Sequence, residues 1–245
     1  MDEKIYEPQV IGSQDIAGTK SKTFLANVFS WMGVALAITA VVSYLFGTSE
    51  DFKSLLRNVD IDGRMSLTGL GYLVIFAPLG FVLAMSLGWQ KWSSTVILVL
   101  FLIYSVVMGM SLSFIFDAYA HKTIYSTFGI SAGMFGVMAL LGYTTKTDLT
   151  KLGSLLIMAL IGMVIAMIVN MFIGSAQMDY IISFIGVIVF TGLTAYDTQK
   201  LKNMGEQVEV GTDTTAKLAM MGALNLYLDF INLFLFLLRI FGGRK

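Results

Sequence analysis

A chain of 245 residues that is 56% hydrophobic and 13% charged, with a mean hydropathy of +0.78, is too apolar for a soluble domain, in which about a quarter of residues carry charge; it reads as a membrane protein. Basic and acidic residues balance at 16 each, which leaves no positive field to recruit nucleic acid. The absence of cysteine excludes disulfides, thiolate nucleophiles and cysteine-based metal sites.

Residues 1–23 are polar, with Pro8, Gly12 and Gly18. They lack the apolar core and cleavage site of a secretory signal and are expected to form a disordered tail. Residues 24–245 are expected to form one all-α transmembrane domain. A helix needs about 20 apolar residues to cross the hydrocarbon layer, and seven segments qualify: Phe24 to Phe46, Gly69 to Gly88, Ser93 to Phe116, Thr123 to Tyr143, Leu152 to Gly174, Tyr180 to Asn203 and Lys217 to Ile240. A barrel is not expected, because its strands would alternate over about ten residues instead of forming continuous apolar runs. The first loop, containing "SEDFKSLLRNVDIDGR", and the stretch "NMGEQVEVGTDTT" before the last helix are the longer connections. "DIDG" at Asp60 to Gly63 is not a calcium-binding EF-hand loop, since its glycine comes too early and no glutamate holds the twelfth position. His121 falls in a short connection and reads as a solvated loop residue, because zinc needs several ligands.

Glycines inside the spans (Gly109, Gly133, Gly136, Gly162, Gly186 and Gly192) suggest close helix packing, which in lipid depends on small residues. The 16 Met and 18 Phe are read as packing residues. Basic residues such as Lys20, Lys91, Lys146, Lys151 and Lys200 modestly favour a cytoplasmic N-terminus, and the basic end "RIFGGRK" opposes it.

The last span, "GALNLYLDFINLFLFLLRI", carries Asp229 near its middle. At about 100° per residue, Asn225, Asp229, Asn232 and Arg239 fall on one narrow stripe, and the rest of the helix is apolar. A central helix with a single polar seam has this pattern, and an ionisable group at membrane depth marks a pathway or relay by default. The expected partner is Asp197 in "TGLTAYDTQKLK". Counting from the same membrane face, Asp197 lies about 9 Å and Asp229 about 18 Å deep. Two carboxylates facing one another away from water cannot easily both ionise, so such a pair titrates as a unit and senses protons. The plainer alternative places Asp197 at the headgroups beside Lys200, with Asp229 bonded to Asn225 and Asn232 as packing glue.

The segments "GLTAYDTQKLK" and "ALNLYLDFINLFLFLLRIF", with "MGMSLSFIF" and "FGVMALLGYTTKTDLTKLGSLL", resemble the transmembrane Bax inhibitor motif family, in its bacterial members. The resemblance implies seven helices with the last one surrounded by the other six, in a bacterial inner membrane. It also implies a proton-sensitive calcium leak whose sensing pair corresponds to Asp197 and Asp229. In some bacterial relatives an arginine near the cytoplasmic end of the second helix latches onto the first aspartate. Here that region reads "SLGWQKWSS", and Lys91 is its only base. Lysine supplies a point charge without the planar fork of arginine.

Asp197, Asp229, Asn225 and Asn232 offer oxygens for a transient constriction around a permeating Ca²⁺, with no tightly bound cofactor expected. A second reading is a membrane regulator that binds other membrane proteins, such as a membrane-anchored protease, through its N-terminal tail. An intramembrane aspartyl protease is disfavoured, since "LYLD" stands where Gly-x-Gly-Asp belongs. The chain is therefore not expected to be an enzyme.

Overall fold

The computed structural model describes residues 13–59, 65–209 and 211–242. In chain order they form α1 (Ser13–Thr48), α2 (Glu50–Leu56), a hairpin of β1 (Arg57–Val59) and β2 (Met65–Leu67), α3 (Gly69–Gly88), α4 (Ser94–Leu112), α5 (Ile115–Ala118), α6 (His121–Thr144), α7 (Thr150–Ile173), α8 (Ala176–Gln207) and α9 (Asp213–Phe241). Seven of these helical stretches, with α4 and α5 counted as one, are long and apolar enough to cross a membrane. Local chemistry sets several of the boundaries. Thr68, Ser93, Ser175 and Thr212 each accept a hydrogen bond from the backbone N–H three residues on, satisfying donors that a helix start leaves open. Gly174 ends α7 at φ 71°, a left-handed conformation suited to glycine.

Two expectations are corrected at the N-terminus and the first loop. Residues 13–23 belong to α1 instead of a disordered tail, and the Ser21 hydroxyl donates to the Lys202 carbonyl at 2.9 Å. The tail residues 1–12 lie outside the described residues, as do Asp60 to Arg64. The first loop carries a short helix and an antiparallel hairpin pairing Arg57 with Leu67, where no strand was expected. Leu56 packs with Phe46 and Val74 in a small cluster apart from the main core. His121 opens α6 and sets its ring edge-on to Phe116.

Arg57 is buried at the foot of this hairpin. Its Nε lies 2.8 Å from Asp117 Oδ2, a guanidinium nitrogen donates to Ser113 Oγ at 3.2 Å, and its plane covers the Phe114 ring at 4.9 Å. One side chain thus ties the loop to the ends of α4 and α5.

The centre of the bundle is α9. In its most apolar window 72% of residues are buried, against 17–44% in the other six spans, so the other helices shield it from lipid. It packs directly on α1, α4, α6 and α8. In lipid this association depends on close van der Waals contact. A Cβ at Gly142 would meet the Ala195 carbonyl, one at Gly109 the Thr39 carbonyl, one at Gly186 the Phe236 ring and one at Gly192 the Leu156 side chain. Gly133, Gly136 and Gly162 face open space, so the expected close packing is found at only part of the glycine set.

Two stability outcomes follow. Gly142→Val should lower the unfolding temperature in detergent sharply, because helix α6 must retreat from α8, whereas Gly133→Ala should leave it nearly unchanged. Arg57→Met should cost less than the roughly 3–5 kcal/mol of breaking a fully buried pair, since the Asp117 side chain keeps 24% of its exposure; a thermal melt beside the Arg57→Met/Asp117→Leu double variant checks this, the double variant recovering part of the loss.

Candidate functional site

The residues of the α9 stripe come together on a cavity of about 590 Å³ bounded by α3, α7, α8 and α9. Asn225, Asp229 and Asn232 line it from α9, Asp197 and Lys200 from α8, and apolar residues such as Leu79 and Met163 from α3 and α7. The 3.6-residue period explains the alignment: on α8, Phe190, Leu193, Asp197 and Lys200 recur at intervals of three or four and share a face. Helices α3 and α7 face α9 across this cavity, while α1, α4, α6 and α8 pack against it directly.

Asp229 is 5% exposed, and its Oδ2 is buried with no hydrogen-bond partner among the described residues. Its carboxyl group interacts directly with that of half-buried Asp197. The plainer alternative fails for Asp229: Asn232 donates instead to the Leu228 carbonyl of its own helix at 2.8 Å, and Asn225 is exposed toward the cavity. For Asp197 the alternative is right in one respect, because Lys200, one turn on, acts on it electrostatically. The Lys200 ammonium also lies 6.0 Å over the Tyr196 ring.

Lys91 is not brought into this group. It sits in the turn between α3 and α4, exposed, and does not line the cavity. Lys200 supplies the positive charge beside Asp197. Arg239, the last member of the stripe, lies beyond the cavity and covers the Phe236 ring at 5.4 Å. Among the described residues no three His, Asp or Glu side chains gather as a metal cage; the oxygen-bearing side chains that line the cavity are Asp197, Asp229, Asn225, Asn232 and Tyr196.

The face of α9 opposite the stripe is bolted in place. Tyr227 is fully buried; its hydroxyl lies 2.7 Å from Thr39 Oγ1, which donates onward to the Ser105 carbonyl at 2.8 Å, so α1, α4 and α9 share one chain of hydrogen bonds. Sequence reasoning did not identify this chain, since a Tyr, a Thr and a Ser on three helices carry no spacing signal.

It also missed the second role of "YDTQKLK". Gln199, on the other face of α8 from Asp197, accepts from Leu149 N–H at 2.8 Å and donates to the Thr147 carbonyl at 2.8 Å. Lys202 donates to the Tyr143 carbonyl at 3.0 Å and covers its ring at 5.2 Å. Both grip the connection between α6 and α7. In that connection the Thr150 hydroxyl and N–H, helped by the Lys151 charge, hold the Asp148 carboxyl below its usual range. A polar Gln two residues past Asp197 was the available signal.

A bundle of seven spans, with a carboxylate buried on its central helix against a second carboxylate, defines a polytopic membrane protein built around an intramembrane acidic pair. Residues 21–245 match the family described as "Inhibitor of apoptosis-promoting Bax1". The chain belongs to this family, the Bax inhibitor-1 family, in agreement with the resemblance carried by its two aspartate motifs. It is 49% identical over 225 residues to "Inner membrane protein YbhL" of Escherichia coli (strain K12), covering 91% of this chain and 93% of that protein. It is 44% identical over 222 residues to a protein of Borreliella burgdorferi, covering 91% and 92%, and 39% identical over 243 residues to one of Deinococcus radiodurans, covering 94% and 97%.

Gln199→Ala should remove the bonds to the Leu149 N–H and the Thr147 carbonyl at a cost of about 0.5–1.5 kcal/mol for each net hydrogen bond lost, since Thr147 is exposed and Leu149 half-buried. The expected readouts are a lower unfolding temperature and faster amide exchange over residues 145–149, with Gln199→Glu restoring only the Leu149 bond.

Proposed function

We propose that this protein is a proton-sensitive cation leak of a bacterial inner membrane, with Asp197 and Asp229 as the sensing pair and Ca²⁺ as a permeating ion. The observation that carries the reading is the buried Asp229 carboxylate, in direct interaction with Asp197 on the wall of a cavity that Asn225 and Asn232 also line. Packing does not require a carboxylate at this depth, and an ionisable group kept there marks an ion path.

One proton shared between the two carboxyls gives the orphaned Asp229 oxygen a partner and removes one of two like charges. Loss of that proton puts two negative charges side by side, which favours separation of α8 from α9 or entry of a cation between them. Lys200 adds a positive charge next to Asp197 and so competes with an entering cation for that carboxylate. Because Asp197 and Asp229 are reached from the ends of α8 and α9 that share one connection, the pair lies nearer that face of the bilayer. With the N-terminus cytoplasmic, that face is the cytoplasmic one, and the protein would sense cytoplasmic pH. The inner membrane assignment follows the name of the Escherichia coli relative. Nothing in this mechanism involves bond chemistry, so the protein acts as a conductor and not an enzyme.

Calcium-dye flux in proteoliposomes, followed over a series from mildly acid to mildly alkaline pH, tests the reading. The parent chain should show flux that changes with pH. Asp229→Asn, which keeps shape and loses the titrating proton, should flatten the pH response, and Asp197→Asn should do likewise. Flux absent at every pH, or a pH response untouched by Asp229→Asn, would exclude the leak.

A further inference from the structure

We propose that the ring of Phe236 is the barrier that separates the Asp197/Asp229 cavity from a second, polar cavity near the opposite face of the bundle. The inference deepens the leak reading and rests on it only for the consequence in ion flux.

The second cavity, of about 350 Å³, lies where α7, α8 and α9 meet, and its polar lining comprises Asn170, Ser175, Asp179 and Arg239. Asn170 donates to Asp179 Oδ1 at 3.2 Å and to the Ser175 carbonyl at 3.1 Å, so the wall is organised by its own hydrogen bonds. The two cavities share Met167 of α7. Phe236 of α9 lines the first cavity, and Arg239, which covers its ring, lines the second.

On α9, Phe236 therefore stands between the residues that line the two cavities. At about 100° per residue it falls on the same stripe as Asn225, Asp229, Asn232 and Arg239, one turn beyond Asn232 and one turn short of Arg239. It is the apolar interruption of an otherwise polar seam. The ring is 4% exposed and is seated on bare backbone, since a Cβ at Gly186 would come within 2.6 Å of it. Phe190 stacks on it at 5.8 Å, and Arg239 covers it at 5.4 Å. An aromatic ring filling the polar track stops ions, because a cation would have to shed its water there without receiving oxygen ligands in return. The carboxylate pair would then set the cation occupancy on one side of the barrier, while the ring itself closes the path.

The chain has no cysteine, so a single introduced thiol reports on water access without background. A membrane-impermeant cationic thiosulfonate, added from the side that holds the start of α8, should modify Ala176→Cys in the second cavity and spare Asn232→Cys in the first. Adding Phe236→Ala to Asn232→Cys should raise its modification severalfold, while Phe236→Leu, which keeps an apolar plug, should leave it protected. In proteoliposomes, Phe236→Ala alone should leak calcium at the pH where the parent chain is closed. The proposal is overturned if Asn232→Cys reacts as readily as Ala176→Cys in the parent chain, or if Phe236→Ala leaves its protection intact. If the thiol pattern holds but no variant conducts at any pH, the barrier stands and the leak reading falls.

Discussion

The organising constraint of this molecule is a carboxylate placed where water is scarce. Asp229 sits on the helix that the rest of the bundle encloses, with an oxygen that no hydrogen-bond donor among the described residues reaches. A charge at that depth must be paired, neutralised or watered. The molecule meets the requirement with a second carboxylate, Asp197, and a cavity that admits both. Neither residue would be stable in its place as an isolated ion. In the proposed role the proton count of this unit is the variable.

Around that unit the helices divide into two groups. Helices α1, α4, α6 and α8 hold α9 by close packing, with Gly142 letting α6 touch the α8 backbone and the Tyr227, Thr39 and Ser105 chain fixing the face away from the cavity. Helices α3 and α7 stand across open volume from the polar stripe. The proposed proton-sensing role would use this division, with one closely packed wall and one set across open volume. Arg57 holds the first loop at one end of the bundle, and Gln199 and Lys202 hold the α6 to α7 connection at the other.

Much of the plan was legible in the chain. All seven spans were readable because twenty consecutive apolar residues have few other destinations, and the stripe on α9 was readable because a helix repeats every 3.6 residues. Both motif aspartates were identified, and they do meet. Lys91 is the only base in the region where some relatives carry a latch arginine, but the base beside Asp197 is Lys200, a residue in the same motif. The Arg57 anchor looked like one more loop charge, because nothing in "LLRNVD" says that the loop folds back over α4 and α5. The extension of α1 to Ser13 was missed because polar residues in a helix that leaves the membrane carry no apolar signal.

The sequence by itself determined the solvent, the number of crossings and the identity of the buried acids, since each depends on composition or on a period within one helix. Only the tertiary structure decided which helices touch α9 and which stand off, what the Phe236 ring packs against, and which charges have partners. Those outcomes depend on side chains from segments far apart in the chain coming within a few ångströms, and the order of residues along one helix does not encode a distance to another.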